Sequence, residues 1–376
     1  PELYVLMLST TAFLSFALTV FYLLLVFTLI RGWHRIPDFV GKTELKKGVK
    51  AILPKPSIVI CCRNEEQNLP TLIEALRNQT HQDFELIWVN DHSTDNTLSI
   101  LQNSLGLFTK AQLIQSPKPG KKQAQRTGIL AATNDFIITT DADCVPHPQW
   151  IETLAEFQYK QQADLIIAPV KFDDGNSFFA KLQQLEFATL VASGLAAAGN
   201  GKPIFCNAAN MAFSRESWLN SQAKLHAEEI SGDDVFLLHA IKRRKGKIVP
   251  LLSPDAFVIT TPSTNLKTFI HQRARWTSKA AKYTDWDSIV TGLIVSAMNA
   301  LLLVLFCVGI FYTEIWNLWV YIFLIKFFVD YVFLMKIKDF FRLKLSFGMI
   351  LSLSLLYPLY VGAVGLKSIF RNKSDW

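Results

Sequence analysis

Several short polar clusters in this 376-residue chain combine residue types that can do chemistry. Asp141-Ala142-Asp143 follows the apolar run Phe136-Ile137-Ile138-Thr139-Thr140. Two carboxylates two residues apart at a strand end form a hard-oxygen site suited to Mg2+ or Mn2+. Such a cation is usually completed by substrate phosphates rather than by a full protein cage. Its task would be to neutralise charge on a departing diphosphate. Gly120-Lys121-Lys122 opens the preceding helix. Its backbone N–H groups and lysines either hold phosphate or form a solvated charge pair. Ser231-Gly232-Asp233-Asp234 stands ahead of the apolar Val235-Phe236-Leu237-Leu238. Asp233 and Asp234 either complement a helix dipole or supply a general base, since neighbouring carboxylates repel and keep one of them more basic.

Arg63-Asn64-Glu65-Glu66 directly follows a strand-like run at 57–62. Charges placed there belong to loop solvation or to ligand contacts, and Arg63 and Glu65 are the candidates for contact. Val89-Asn90-Asp91-His92-Ser93-Thr94-Asp95 runs from a strand into an acidic turn. Asp91 is assigned to a ligand, where it can accept hydrogen bonds from a base or ribose, and Asp95 to helix capping. Gln272-Arg273-Ala274-Arg275-Trp276 lies where Leu266, Phe269, Ile270, Trp276, Ala280 and Tyr283 share one helical face. That pattern gives an amphipathic helix at a membrane interface, whose Arg and Trp are also suited to a diphosphate and a sugar ring. The five cysteines are odd in number and show no CxxC spacing, so neither a disulfide framework nor a zinc site is indicated.

The elements that must position these clusters alternate in type. Residues 57–62, 84–90, 111–115 and 136–140 read as strands, and residues 68–78, 97–105 and 121–132 as helices. This alternation implies an α/β domain, a mostly parallel sheet with helices on both faces. Ligands then bind beyond the carboxyl ends of the strands, which is where the polar clusters fall.

Apolar residues make up 50% of the chain and charged residues 18%, with a mean hydropathy of +0.24. The excess is concentrated at the ends. Residues 3–30 are long enough to cross a bilayer, and further apolar stretches lie near 288–312, 316–336 and 346–368. Lys42, Lys46, Lys47 and Lys50 after the first span, and Lys279 and Lys282 before the second, place the intervening domain on the cytosolic side. The basic tail, Arg371 and Lys373, disagrees with a complete last span, and Pro358 offers a break for a re-entrant hairpin. Lys326 and Asp330 share a helix face inside the third span, as a neutralising pair or as part of a substrate path. The net charge of +7 lies mostly beside the spans, which fits a membrane surface, and no nucleic-acid recognition fold is evident. The apolar run at 187–198 is too short to span and reads as a helix of the central domain. The expected organisation is a transmembrane helix at 1–31, a basic linker at 32–55 and a catalytic domain at 56–262. An interfacial helix at 263–285 and about three further membrane helices at 286–370 complete it.

Taken in order, RNEE, VNDHSTD, GKK, DAD, FCNAANMAF, GDD and QRARW resemble the family 2 glycosyltransferases of GT-A fold. The flanking helices are similar to the membrane-bound branch, which includes cellulose, hyaluronan and poly-N-acetylglucosamine synthases and ceramide glucosyltransferases. The resemblance covers residues 56–276. It implies that Glu65 and Asp91 hold the nucleoside, that Lys121 contacts nucleotide or diphosphate, and that Asp143 with Asp141 binds the metal. Asn207 and Asn210 shape the acceptor site, and Asp234, paired with Asp233, matches the acceptor-deprotonating base. Gln272, Arg275 and Trp276 match the QxxRW element near the donor diphosphate. The implied activity is inverting, metal-dependent transfer from a nucleotide-sugar, UDP-linked or GDP-linked, to a lipid or short glycan acceptor. The implied setting is the cytosolic face of a bacterial inner membrane. A processive polysaccharide synthase and a non-catalytic partner subunit are the alternatives, separated by product length and by turnover. The chain departs from the family at Cys61-Cys62, where Pro and a small or aromatic residue are common, and at Asp233, where many members carry Glu.

Overall fold

The β-rich runs at 57–62, 84–90 and 136–140 form buried strands that end at Arg, Asn or Asp, while the more polar run at 111–115 forms a half-buried one. The computed structural model describes residues 2–41, 52–222 and 233–369. The linker lysines at 42–50, Ser231-Gly232, the side chain of Asp233, and Arg371 and Lys373 lie outside the described residues.

The chain divides into two compact units. The first comprises Trp33–Gly175 and Leu190–Pro262. Its elements begin with β1 (Pro56–Cys62), α2 (Leu69–Arg77), β2 (Glu85–Asn90), α3 (Thr97–Ser104), β3 (Ala111–Gln115), α4 (Lys121–Ala131) and β4 (Phe136–Thr139), after the helix α1 (Glu2–Arg35). They continue through β5 (Val145–Pro146), α5 (Trp150–Gln161), β6 (Leu165–Ile167), β7 (Val170–Phe172), the helix α6 (Phe178–Gly199), whose residues up to Thr189 belong to the second unit, β8 (Met211–Ser214), α7 (Arg215–Leu219), α8 (Asp233–Arg243), β9 (Ile248–Pro250) and β10 (Val258–Thr260). Seven strands form one sheet in the order β3-β2-β1-β4-β8-β6-β9. The first four are parallel, β8 runs antiparallel to both neighbours, and β6 and β9 are parallel. Three further strands form a small sheet in the order β5-β10-β7. The core consists of fully enclosed Ile58, Ile60, Leu69, Leu72, Leu86, Trp88, Trp150 and Phe213.

The second unit comprises the described parts of Pro1–Gly32, Asn176–Thr189 and Ser263–Asp375. It contains α9 (Leu266–Thr277), α10 (Trp286–Gly309), α11 (Ile315–Phe341) and α12 (Phe347–Ile369). Among the described residues four helices are long and apolar enough to cross a membrane: Ser9–Arg35, Trp286–Gly309, Ile315–Phe341 and Phe347–Ser368. Phe13, Phe16, Phe21, Leu24 and Phe27 point outward from α1, which suits lipid rather than water. α12 continues as one helix through Pro358, so the break available at that residue is not made. Lys326 pairs with Asp330 at 2.6 Å, and the Tyr22 hydroxyl donates to Asp330 at 2.8 Å. The pair therefore faces α1, with Lys326 buried and Asp330 half-buried.

Candidate active site

β1 and β4 are parallel neighbours, and the strand order reverses between them. An open α/β sheet leaves a crevice at such a point, beyond the carboxyl ends. The loops leaving β1 and β2 are clamped together there. Asn64, with φ 57°, accepts on Oδ1 from Thr94 N–H at 2.8 Å and donates its own N–H to Ser93 Oγ at 3.2 Å. Glu65 N–H donates to Thr97 Oγ1 at 2.7 Å, and Glu66 N–H to Asp95 Oδ2 at 3.2 Å. Glu66 Oε2 in turn accepts from the backbone and side-chain nitrogens of Asn96, both at 3.0 Å. Asp95 also accepts from Thr97 N–H at 3.0 Å, from one position before Asn96, which is the residue that stands at the N-cap of α3. Asn64 and Glu66 were not foreseen as clamps. The available signal was an Asn after the strand, a residue that tolerates positive φ.

Asp91 is buried, 1% exposed, and both its oxygens accept from Gly120 N–H, at 2.8 and 3.0 Å. Arg63 Nη1 stands 3.9 Å from the same carboxylate. Gly120 has φ +125°, a conformation side chains rarely adopt, so Asp91 secures a turn that only glycine enters cheaply. The next residue, Lys121, begins α4 and reaches Asp141 Oδ1 at 2.5 Å. Gly128 lets α4 lie close on the sheet, since a Cβ there would come within 2.5 Å of Val59 and 2.9 Å of Val89. Burial works against the Lys121 charge, but the attraction of Asp141 wins and holds the ammonium above its usual range.

Glu65 shares this field. Burial pushes its carboxyl up, a 2.7 Å hydrogen bond from Asn68 pulls it down, Asp143 and Asp141 raise it, and Lys121 lowers it. Asp143 stands on the solvent-facing rim. Partial desolvation there and the charge of Asp141 push its carboxyl upward, with Lys121 opposing. The strand ends therefore gather Glu65, Asp141, Asp143 and Lys121 into one electrostatic group.

Asp234, at the start of α8, accepts from Val235 N–H at 2.8 Å and from Ala208 N–H at 3.3 Å. The Ala208 carbonyl accepts from Thr139 Oγ1 at 3.0 Å, and Thr139 ends β4 just before the Asp141 loop. Lys122 lies over the Phe236 ring at 5.7 Å. These contacts bring the start of α8, the turn at 207–210, the end of β4 and the start of α4 to the same rim. Asn207 accepts from Ala209 N–H at 3.0 Å and fixes that turn. Asn210 is fully enclosed: its amide donates to the carbonyls of Pro169 at 2.7 Å and Ala256 at 2.8 Å, and its oxygen accepts from Trp150 Nε1 at 2.8 Å. Those groups of Asn210 are engaged inside the protein.

Gln272, Arg275 and Trp276 belong to α9 of the second unit. Gln272 Oε1 accepts from Arg273 Nη1 at 2.8 Å, and Trp276 packs against Phe187 with ring centres 6.1 Å apart. Arg275 is half-buried, and its carbonyl accepts from Ser278 Oγ at 3.0 Å.

Residues 57–220 match the family described as Glycosyl transferase family 2. Glycosyltransferase GlyG of Streptococcus pneumoniae is 32% identical over 127 residues, covering 33% of this chain and 42% of that protein. An undecaprenyl-phosphate 4-deoxy-4-formamido-L-arabinose transferase of Proteus mirabilis is 34% identical over 105 residues, 27% of this chain and 32% of that protein. The chain thus spans less than half the length of these curated relatives. A mannosyltransferase from Pyrobaculum calidifontis, solved in complex with GDP-Man and Mn2+, is similar in structure with a TM-score of 0.57. The likeness covers 96% of this chain and 97% of that one at 14% identity, a likeness of fold. The architecture is a mixed α/β fold with a mostly parallel seven-stranded sheet that resembles the GT-A fold, in a chain that also carries candidate membrane-spanning helices.

Proposed function

We propose that this chain, built on a family 2 glycosyl transferase domain at residues 57–220, is an inverting, metal-dependent sugar transferase with a nucleotide-sugar donor. The acceptor is a lipid or short glycan at the cytosolic face of a bacterial inner membrane. One observation carries this reading. Lys121, the pair Asp141 and Asp143, and Asp234 come from three separate chain segments and converge on one rim of the sheet.

Asp141 and Asp143 are the residues that would hold the cation. Among the described residues no group of three or more His, Cys, Asp or Glu is arranged for a metal. Two carboxylates without a third fit Mg2+ or Mn2+ whose remaining ligands are phosphate oxygens and water. When bound, such a cation neutralises charge on the leaving diphosphate. Lys121 binds the diphosphate as its ammonium turns from Asp141 to a phosphate oxygen. Glu65 meets the nucleoside, and Asp91 with Arg63 holds the Gly120 turn beneath it. Asp234 takes the proton of the acceptor hydroxyl. That oxygen attacks the anomeric carbon from the side opposite the diphosphate, the bond from that carbon to the phosphate oxygen breaks, and configuration inverts. Gln272, Arg275 and Trp276 are assigned to the diphosphate and acceptor on the resemblance of QRARW to the QxxRW element. A lipid acceptor gains support from the undecaprenyl-phosphate relative and from the long apolar helices.

The test uses the full chain in lipid nanodiscs, Mn2+, a panel of UDP- and GDP-sugars, and lipid and glycan acceptors. Products are followed by mass spectrometry, which also reads chain length. Asp234→Asn keeps an oxygen for one of the two backbone donors, Val235 N–H or Ala208 N–H, and loses the base, so kcat is expected to fall by about 10²–10⁴-fold with donor binding retained. Asp143→Ala is expected to abolish the response to Mn2+. Unchanged turnover in both variants would refute the mechanism.

A further inference from the structure

α9 contains a buried cation to which sugar transfer as described gives no task. Arg273 is only 2% exposed. Its guanidinium makes a two-point ion pair with Glu186 of α6, Nε to Oε1 at 3.1 Å and Nη2 to Oε2 at 2.5 Å. The Tyr360 hydroxyl of α12 donates to the same carboxylate at 3.1 Å. The remaining arm, Nη1, donates to Gln272 Oε1 at 2.8 Å. The guanidinium carbon lies 4.3 Å from the Trp276 ring centre and 4.7 Å from that of Phe269. One buried cation therefore touches both Gln272 and Trp276.

Each contact restricts its partner in a specific way. Arginine has no acceptor, so only the amide oxygen of Gln272 can face it. The amide NH2 is thereby directed away, with its two hydrogens available to an anionic oxygen. Trp276 is held by a desolvated cation stacked on its face, an attraction stronger than the same contact in water. Glu186 is what allows the guanidinium to be there, because a buried charge persists only when paired. A lysine in its place would present one compact ammonium instead of a planar fork able to serve Glu186 and Gln272 together.

We infer that Arg273 is a positioning residue for transfer: held by Glu186, it sets the amide of Gln272 and the ring plane of Trp276 before donor and acceptor arrive. The contacts stand on the second unit alone, and the effect on turnover rests on the sugar-transfer reading.

The experiment compares the full-length chain with Arg273→Lys, which keeps the positive charge for Glu186 and sacrifices the fork. In nanodiscs its thermal midpoint should stay near that of the parent. Its kcat should fall by about a hundredfold, as small misplacements of reacting groups do, with little change in donor KM. In a Gln272→Ala background the same substitution should cost no further kcat, since residues acting as one unit are not additive. A readout free of activity is the near-UV circular dichroism of Trp276, taken as each protein minus its Trp276→Phe counterpart. A ring held by Arg273 gives a strong difference band that Arg273→Lys loses. Full kcat in Arg273→Lys, equal losses with and without Gln272, or an unchanged Trp276 band would each overturn the assignment. If the parent chain transfers no sugar but the Trp276 band follows Arg273, the sugar-transfer reading fails and the positioning of the side chains stands. If Arg273→Lys does not fold, the double variant R273L/E186L, apolar at both positions, carries the same comparisons.

Discussion

Replacing Asp91 by Ala separates two roles that a carboxylate at a strand end can play. Asp91 is buried and spends both oxygens on the N–H of Gly120, directly before the lysine that faces Asp141. A hydrogen bond to a charged partner contributes about 1.5–3 kcal/mol. If the Gly120 turn is held by that amount, releasing it weakens anything bound by Lys121 and the first turn of α4 by about 10- to 100-fold. Gly120→Ala should act in the same direction. Its Cβ would meet nothing within 4 Å, so the cost is the positive φ alone, about 1–3 kcal/mol. The assay is calorimetric titration of the full chain with a nucleoside diphosphate and, separately, with inorganic pyrophosphate, both with Mn2+. A brace predicts that Asp91→Ala weakens both ligands by similar factors. If pyrophosphate binds Asp91→Ala as tightly as the parent while the nucleotide is lost, Asp91 is a nucleoside ligand and the brace argument is wrong.

Acid stability should depend on Glu85, which is buried and accepts from Ser57 Oγ, from Thr133 N–H at 2.8 Å and from Thr133 Oγ1 at 3.0 Å. Burial opposes its charge, but these hydrogen bonds and Lys110 hold the carboxyl below its usual range. The stabilisation is therefore complete above the unfolded value, about 4.3, and is lost as pH falls through the lower folded value. Thermal midpoints across this range should show a shallower acid limb in Glu85→Gln, and an identical limb would exclude the contribution. Asn210→Ala should lower the thermal midpoint sharply, since each group left unsatisfied at Trp150, Pro169 and Ala256 costs about 1–3 kcal/mol; a midpoint within experimental error of the parent counts against the role. Lys326→Met should destabilise the detergent-solubilised chain by about 3–5 kcal/mol by stranding Asp330. Lys326→Met/Asp330→Leu should recover most of that loss, and failure of the double variant to do so argues against pairing as the cause.

The strands and helices of the first unit were legible because their signals are local. Residues 57–62 and 136–140 are largely apolar runs bounded by polar residues, and the structure places β1 and β4 there. Polar clusters at the ends of such strands fall at the carboxyl edge of a parallel sheet whatever their partners, so the location of a rim could be argued from order along the chain. Partners could not be argued in this way. Glu65 and Glu66 are adjacent and alike, yet one faces the charges of Asp141 and Asp143 while the other holds Asn96. Asn207 and Asn210 read the same in sequence, but one caps a turn and the other is enclosed against Pro169, Ala256 and Trp150. In QRARW nothing local marks Arg273 rather than Arg275 as the buried cation; Glu186, far away in the chain, makes that choice. Periodicity and strand-end chemistry depend on neighbours a few residues away, and they yielded the architecture. Which charge is neutralised, and which polar group is left for a ligand, depends on contacts between distant segments, and those exist only once the chain has folded.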